Sequence, residues 1–376
     1  MAKPFARRAT KTILICCNII TALCLFVACY GNYFNTRFSW ITGLFTLASL
    51  YFFIVLIGFL LFWLFVKPAF TLIGILALVI CWAPLQQTVQ LRIPEKFIFK
   101  KSELGIRLMS WNVEHFDIIE HKTHPEKKQQ MLQLINEMQP DIACFQEMVA
   151  SDSATHAINY LPDFLTQLNM PDYFYTYNKK LDFDSKHRFG IIIFSKLPII
   201  KKETVILDSK NYNSIFQFVD VVKNNDTFRI FNIHLQSLKF SADNRNYIND
   251  PTLSDETDIE KSKNVLYKFK IGFIKRRLQS DFIKKVIEQS PYPTIVCGDF
   301  NDVPNSYAYN TIGKGLVNSF TKKGAGIGNT FNGISPTLRI DNIFCDKSFD
   351  IMQYGTIKKN LSDHFPIVAD LAPNKN

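Results

Sequence analysis

The chain has 376 residues, 47% of them hydrophobic, only 20% charged, and a formal net charge of +10. That length suits one large domain or two ordinary ones, and 34 Phe beside so little charge exclude a disordered or fibrous chain. The net charge suggests a nucleic-acid binder, but residues 1–101 hold ten Lys and Arg (3, 7, 8, 11, 37, 67, 92, 96, 100, 101) against Glu95 alone, leaving 33 basic and 32 acidic residues beyond.

Three stretches, 12–36, 38–66 and 68–91, carry no charge. A bilayer core about 30 Å thick is crossed by roughly 20 apolar residues of helix. The sequence therefore predicts a membrane anchor over 1–90 with three transmembrane helices at about 12–30, 40–66 and 69–87. The middle one is densest in Leu, Ile and Phe, the first carries Asn18 and Thr21, and the third ends at Pro84. No small-residue cleavage site follows the basic start, so the first span is read as retained rather than as a signal peptide. Lys3, Arg7, Arg8 and Lys11 favour a cytoplasmic start, and three crossings then place the remainder on the extracytoplasmic side of a bacterial inner membrane. Arg92, Lys96, Lys100 and Lys101 pull the other way.

Residues 91–102 read as a linker and 103–372 as the catalytic domain. Strands are predicted at 106–111 and 141–146, with a helix over 125–138 between them. Four consecutive strands follow, at 188–195, 199–207, 215–222 and 228–234, and their short turns imply antiparallel pairing. Residues 241–260 read as an exposed polar loop and 263–289 as a long helix. Further strands are predicted at 293–298, 339–344, 349–357 and 365–371. Cys144, Cys297 and Cys345 sit in apolar runs and read as buried thiols, and no C-x-x-C pair supports zinc or redox chemistry.

Polar residues recur at strand ends, where a rigid sheet edge presents side chains: Asn112, Gln146-Glu147, Asn232 and His234, Asp299 and Asn301, Arg339 and Asp341, and Ser362-Asp363-His364. Asn112, Glu147, Asp299, Asn301 and Asp341 are oxygen donors suited to a hard cation such as magnesium. His234 and His364 titrate in the range where proton transfer is useful. Singly, each has an ordinary reading: a capped turn for the Asn residues, a solvated acid for Glu147, a core histidine for His234. Their joint recurrence at six strand ends overturns it. Glu114, His115, Asp117, His121 and His124 read as loop residues, Lys275-Arg-Arg277 as a solvated helix face, and 324–328 lacks the spacing of a phosphate loop.

SWNVEHF, DIACFQE, FNIHLQS, CGDFND, RIDNIF and LSDHFPI, in that order, resemble the signature of the endonuclease/exonuclease/phosphatase superfamily, with its deoxyribonuclease-I-like fold, over roughly 104–372. The resemblance implies an α+β, four-layer α/β/β/α sandwich with two packed mixed sheets. It implies metal binding by Asn112 and Glu147 with Asp341 and Asp363, and catalysis by His234, Asp299, Asn301, Asp341, Asp363 and His364. The segment 188–195 resembles another family motif with Ile in place of Ala, and makes Arg188 a phosphate contact.

The implied cofactor is Mg2+, with Mn2+ as a substitute. The implied activity is nuclease-like hydrolysis of phosphodiesters, the substrate being nucleic acid or a phospholipid headgroup. The alternatives are a phosphatase or phospholipase-C-like hydrolase of lipid or sugar phosphates, and a non-catalytic membrane protein on the same fold. No protein partner is indicated.

Overall fold

Largely apolar sequence builds the first helices of the computed structural model, which describes residues 2–33, 39–101, 105–117, 124, 126–151, 161–177, 187–207, 215–238, 240, 242–250 and 256–374. Helix α1 (Ala2–Tyr30) begins ten residues before the predicted start. The predicted second span is broken at Ala48 into α2 (Ser39–Leu47) and α3 (Ser49–Val66). The third is broken at Cys81 into α4 (Thr71–Ile80) and α5 (Trp82–Thr88).

The second break has an identifiable cause. Pro84 has no N–H to offer the carbonyl of Ile80 four residues back. The Tyr30 hydroxyl donates to that oxygen instead, at 2.5 Å. Two helices, Phe5–Tyr33 and Ser49–Val66, are long and apolar enough to cross a membrane. Pro68–Ile80 and Trp82–Thr88, bent by 68°, make a third if taken as one span.

The described residues of the remainder fold as two six-stranded sheets. Strands β1 (Ile106–Asn112), β2 (Ile142–Ser151), β3 (Asp172–Tyr177) and β4 (His187–Ser195) enter the first sheet. Strands β5 (Ile199–Ile206), β6 (Ile215–Lys223), β7 (Asp226–His234), β8 (Thr294–Asp299), β9 (Val317–Asn318) and β10 (Asp341–Cys345) form the second. The chain then returns to the first as β11 (Phe349–Thr356) and β12 (Ile367–Pro373). The orders are β11-β12-β1-β2-β4-β3 and β5-β6-β7-β8-β10-β9.

Each sheet has one central parallel pair, β1–β2 joined through α6 (Glu126–Met138) and β7–β8 joined through α9 (Glu256–Glu288). A parallel pair needs such a crossover, and its helix covers the outer face. Accordingly α6 and α7 (Leu161–Leu168) bury Met131, Ile135 and Phe164 on the first sheet. On the second, α9 and α10 (Tyr307–Gly313) bury Ile283, Ile287 and Ile312. Between the sheets Leu108, Ile142, Ile193, Ile230, Ile295 and Ile343 form a third cluster, which includes all three thiols Cys144, Cys297 and Cys345. This is the expected α/β/β/α sandwich.

Two expectations are corrected. β4 and β5 are not partners: β4 pairs with β2 and β3, β5 pairs with β6, and the chain passes between sheets at residues 196–198. Burial explains the switch, because Ile191–Phe194 are enclosed whereas β5 is an exposed edge strand. Within the polar stretch 241–260, α8 (Ala242–Asn249) forms and α9 starts at Glu256. Residues 241 and 251–255 of that stretch lie outside the described residues, as does His121.

Candidate active site

Period-two alternation brings the strand-end residues together. In β1, Ile106 and Leu108 point between the sheets while Met109 and Trp111 face the α6 side, so Asn112 ends the strand on the inner face. The same alternation follows Ile230 to His234 in β7, Cys297 to Asp299 in β8, and Ile343 back to Asp341 in β10. Register aligns them: Asn112 lies opposite Gln146, His234 opposite Asp299, and Asp299 opposite Asp341.

Glu147 reaches the site through a bulge. Phe145 pairs with Ile192 and Met148 with Gly190, so Gln146 and Glu147 together face one partner position. Gln146 turns inward, and its Nε2 donates to Asn232 Oδ1 at 2.7 Å. Asn232 Nδ2 donates in turn to the carbonyls of Phe145 and Ile192, which ties the two sheets directly behind the site. Glu147 itself adopts φ 58°, and Asn301, Glu114 and His115 are also left-handed.

Asp299 is the centre of the hydrogen-bond network. It accepts from Asn112 Nδ2 at 3.1 Å, from Asn301 N at 2.7 Å and from Asn301 Nδ2 at 3.0 Å. His234 Nε2 lies 3.5 Å from Asp299 Oδ2 and 3.7 Å from Glu147 Oε1. His364 Nδ1 lies 2.9 Å from Asp341 Oδ2, which leaves Nε2 directed towards Asp299 at 3.7 Å and Asp363 at 3.9 Å. Ser362 Oγ donates to the Asn112 carbonyl and accepts from His364 N, and Trp111 Nε1 donates to the His364 carbonyl. The His364 loop is thereby fixed to the end of β1.

The electrostatics separate the two histidines. Burial lowers His234 to about 4 despite Glu147, so its imidazole is neutral near pH 7. Burial also opposes charge on His364, but Asp341 and Asp299 outweigh it and hold His364 well above the usual range. Burial raises Asp299 to about 7, with Asp341 adding to the rise and His364 opposing it. Burial and the nearby Asp363 raise Glu114 to about 7.

A site with this many clustered acids suits a cation. Asp341 Oδ1 is buried with no hydrogen-bond partner among the described residues. Asp299, Asp341 and His364 offer ligand atoms within 4.8 Å of one another. Since His364 is engaged by Asp341 through Nδ1, the available donors are mostly carboxylate and amide oxygens, the set a hard divalent cation takes.

The structure thus gathers Asn112, Glu147, Asp299, Asn301, Asp363 and His364 at one cavity, with His234 and Asp341 directly behind. Arg188 is not among the residues lining that cavity, and its guanidinium lies 5.4 Å from the Tyr177 ring centroid. Three residues read as loop or solvated surface belong to the site. Glu114 Oε2 accepts from Asp363 N at 3.0 Å, and His115 Nδ1 lies 3.4 Å from Glu147 Oε2. Arg276 is buried on α9, its Nε donating to Asp302 Oδ2 at 3.1 Å and its Nη1 to the Gln236 carbonyl at 3.0 Å. The available signal for Glu114 and His115 was their position two and three residues after Asn112.

Residues 109–364 match the sequence model of the endonuclease/exonuclease/phosphatase family. The chain belongs to that family, whose members are hydrolases of phosphoesters. A second model, a domain of unknown function (DUF8431), matches residues 11–88. No curated protein sequence matches the chain significantly. Among solved structures, a family member from Bacteroides thetaiotaomicron is 20% identical with TM-score 0.51, covering 72% of this chain and 98% of its own. One from Bacteroides vulgatus is 18% identical with TM-score 0.51, covering 73% and 100%. At these identities the likeness establishes the fold.

Proposed function

We propose that the protein is a membrane-tethered, divalent-metal-dependent phosphoesterase that hydrolyses phosphodiester bonds by in-line attack of an activated water. The observation that carries this reading is the convergence of Asn112, Glu147, Asp299, Asn301, Asp341, Asp363, His234 and His364 from separate strand ends. Residues 1–90 form the anchor and 103–372 the catalytic domain in this reading. Glu147 and Asn112, with Asp341 Oδ1 and Asp363 beside them, would hold Mg2+ or Mn2+. Such a cation neutralises phosphoryl charge and polarises the P–O bond.

Asp299 is held by Asn112 and Asn301 with its carboxylate towards the cavity, which suits it to align a water and take its proton as the oxygen bonds to phosphorus. His364, oriented by Asp341 through Nδ1, presents Nε2 as the donor to the leaving oxygen as the P–O bond breaks. His234, neutral behind the cavity, faces Asp299 and Glu147 through Nε2 and helps to position those two carboxylates.

The anchor supports an extracytoplasmic domain. Lys11 and Lys67 both lie 5.3 Å from the Phe70 ring centroid, so the basic start of α1 and the end of α3 share one membrane face. Positive charge marks the cytoplasmic face. Two of the four opposing charges have other employment: Arg92 donates to the Thr321 carbonyl at 2.9 Å and Lys101 pairs with Asp141. An alkaline phosphatase fused after Asn376 should be active and a fluorescent protein there dark; the reverse pattern would put the domain in the cytoplasm.

The activity is tested with the full chain in detergent micelles, with Mg2+ or Mn2+, against bis(p-nitrophenyl) phosphate, DNA, RNA and sphingomyelin. Glu147→Gln and His364→Ala should each slow turnover by about 10²–10⁴-fold. Hydrolysis of none of these by the wild type, or undiminished rates in both variants, would refute the reading.

A further inference from the structure

The site occupies one end of a cavity of about 490 Å³, and the rest of that cavity is built unlike a polynucleotide groove. Beyond the carboxylates its wall is made by Leu238, Phe240, Ile248, Phe269, Phe273 and Ile334. The membrane anchor supplies part of it. Leu47, the last residue of α2, and Tyr51, in the first turn of α3, line the same cavity as Glu147 and His364. Helix α2 is seated on α9 at that wall: a Cβ built on Gly43 would lie 2.8 Å from Phe273 Cδ1, and Lys270 Nζ sits 5.5 Å from the Trp40 ring centroid. The hydroxyl of Tyr51 lies 3.4 Å from Ser335 Oγ across the opening.

A polynucleotide is gripped by rows of cations along many phosphates. Among the described lining residues the only Lys or Arg are Arg245 and Arg276, and the latter is engaged with Asp302 and the Gln236 carbonyl. A site with one focus of phosphate chemistry, an extended apolar wall, and a margin formed where a membrane-crossing helix begins matches an amphiphile. We infer that the substrate is a lipid phosphoester, its phosphate at Glu147 and His364 and its hydrocarbon chain along the apolar wall, reached from the bilayer beside α2 and α3. The anchor is then part of the substrate site as well as a tether. This rests on the phosphoesterase reading for the phosphate end; the apolar end stands on the cavity.

The test uses the full chain in nanodiscs and reads chain-length dependence twice. For turnover, a dioctanoyl or longer phosphatidylcholine or phosphatidylglycerol is compared with the glycerophosphodiester of the same headgroup, and a polyprenyl phosphate arm separates acyl from isoprenoid chains. For binding without turnover, dodecylphosphonate and ethylphosphonate are titrated by calorimetry. Methylene burial predicts at least about tenfold higher kcat/KM and affinity for the long-chain member of each pair, with Phe240→Asp and Leu238→Asp each collapsing that ratio towards one. A ratio near one in wild type, or ratios unaltered in both variants, overturns the inference while leaving phosphoester hydrolysis intact. Chain-length-dependent phosphonate binding with no turnover of any phosphoester would instead refute the phosphoesterase reading and support the lipid site. DNA turned over faster than every lipid also overturns it.

Discussion

Glu147, Asn301, Glu114 and His115 hold φ between 45° and 58°, backbone that side-chain-bearing residues seldom adopt. Strain of this kind persists only where surrounding contacts impose it; here Asn301 is fixed through both its N–H and its Nδ2 on Asp299. Residue identities at the site were legible because Asn, Asp, Glu and His at strand ends carry a chemical meaning of their own. The strain and the His115–Glu147 approach were not, since both follow from where β2 bulges. Gly298 belongs to the same scale. It adopts φ 138°, and an added Cβ would lie 1.9 Å from the Ile233 carbonyl oxygen on the parallel neighbour. Gly298→Ala should therefore lower the thermal midpoint of the full chain by roughly 5–10 °C. An unchanged midpoint would contradict the register described for β7 and β8.

Among the elements, local pattern served wherever burial repeats simply. β1, β2, β7 and β8 are apolar runs, and α6 shows Met131, Leu134, Ile135 and Met138 on one face, as predicted. What escaped depends on partners distant in sequence. Short turns suggested that β4 and β5 pair, but a three-residue connection also suffices to change sheets, and only the enclosed Ile191–Phe194 against the exposed β5 decides between the two. The seating of α2 on α1 is equally non-local: Thr46 Oγ1 donates to the Ala28 carbonyl and accepts from Asn32 Nδ2. β3 was missed because its aromatic-rich sequence is only half buried.

At the scale of the whole molecule, the N-terminal apolar helices are docked on the sandwich domain. Asn305 Nδ2 donates to the Pro84 carbonyl at 2.9 Å and to Thr88 Oγ1 at 3.1 Å, while Asn32 Nδ2 donates to the Asn305 carbonyl at 2.9 Å. Arg339 is buried, donating to the carbonyls of Gln87 and Ile327, so the Arg before Asp341 joins α5 to the site. The excess positive charge, first suggestive of nucleic acid, resolves into basic residues at the start of α1 and beside Phe70, and groups such as Arg92 and Lys101 bound to the domain. In this near-neutral domain Glu114, Glu147, Asp299, Asp341 and Asp363 gather at the one site, an oxygen-rich set that suits a divalent cation. Calorimetric titration of Mn2+ into the micellar full chain tests that claim most directly. Saturable binding, weakened at least about tenfold by Glu147→Gln with the thermal midpoint retained, is the predicted result. No saturable binding, or identical isotherms for the two proteins, would contradict it.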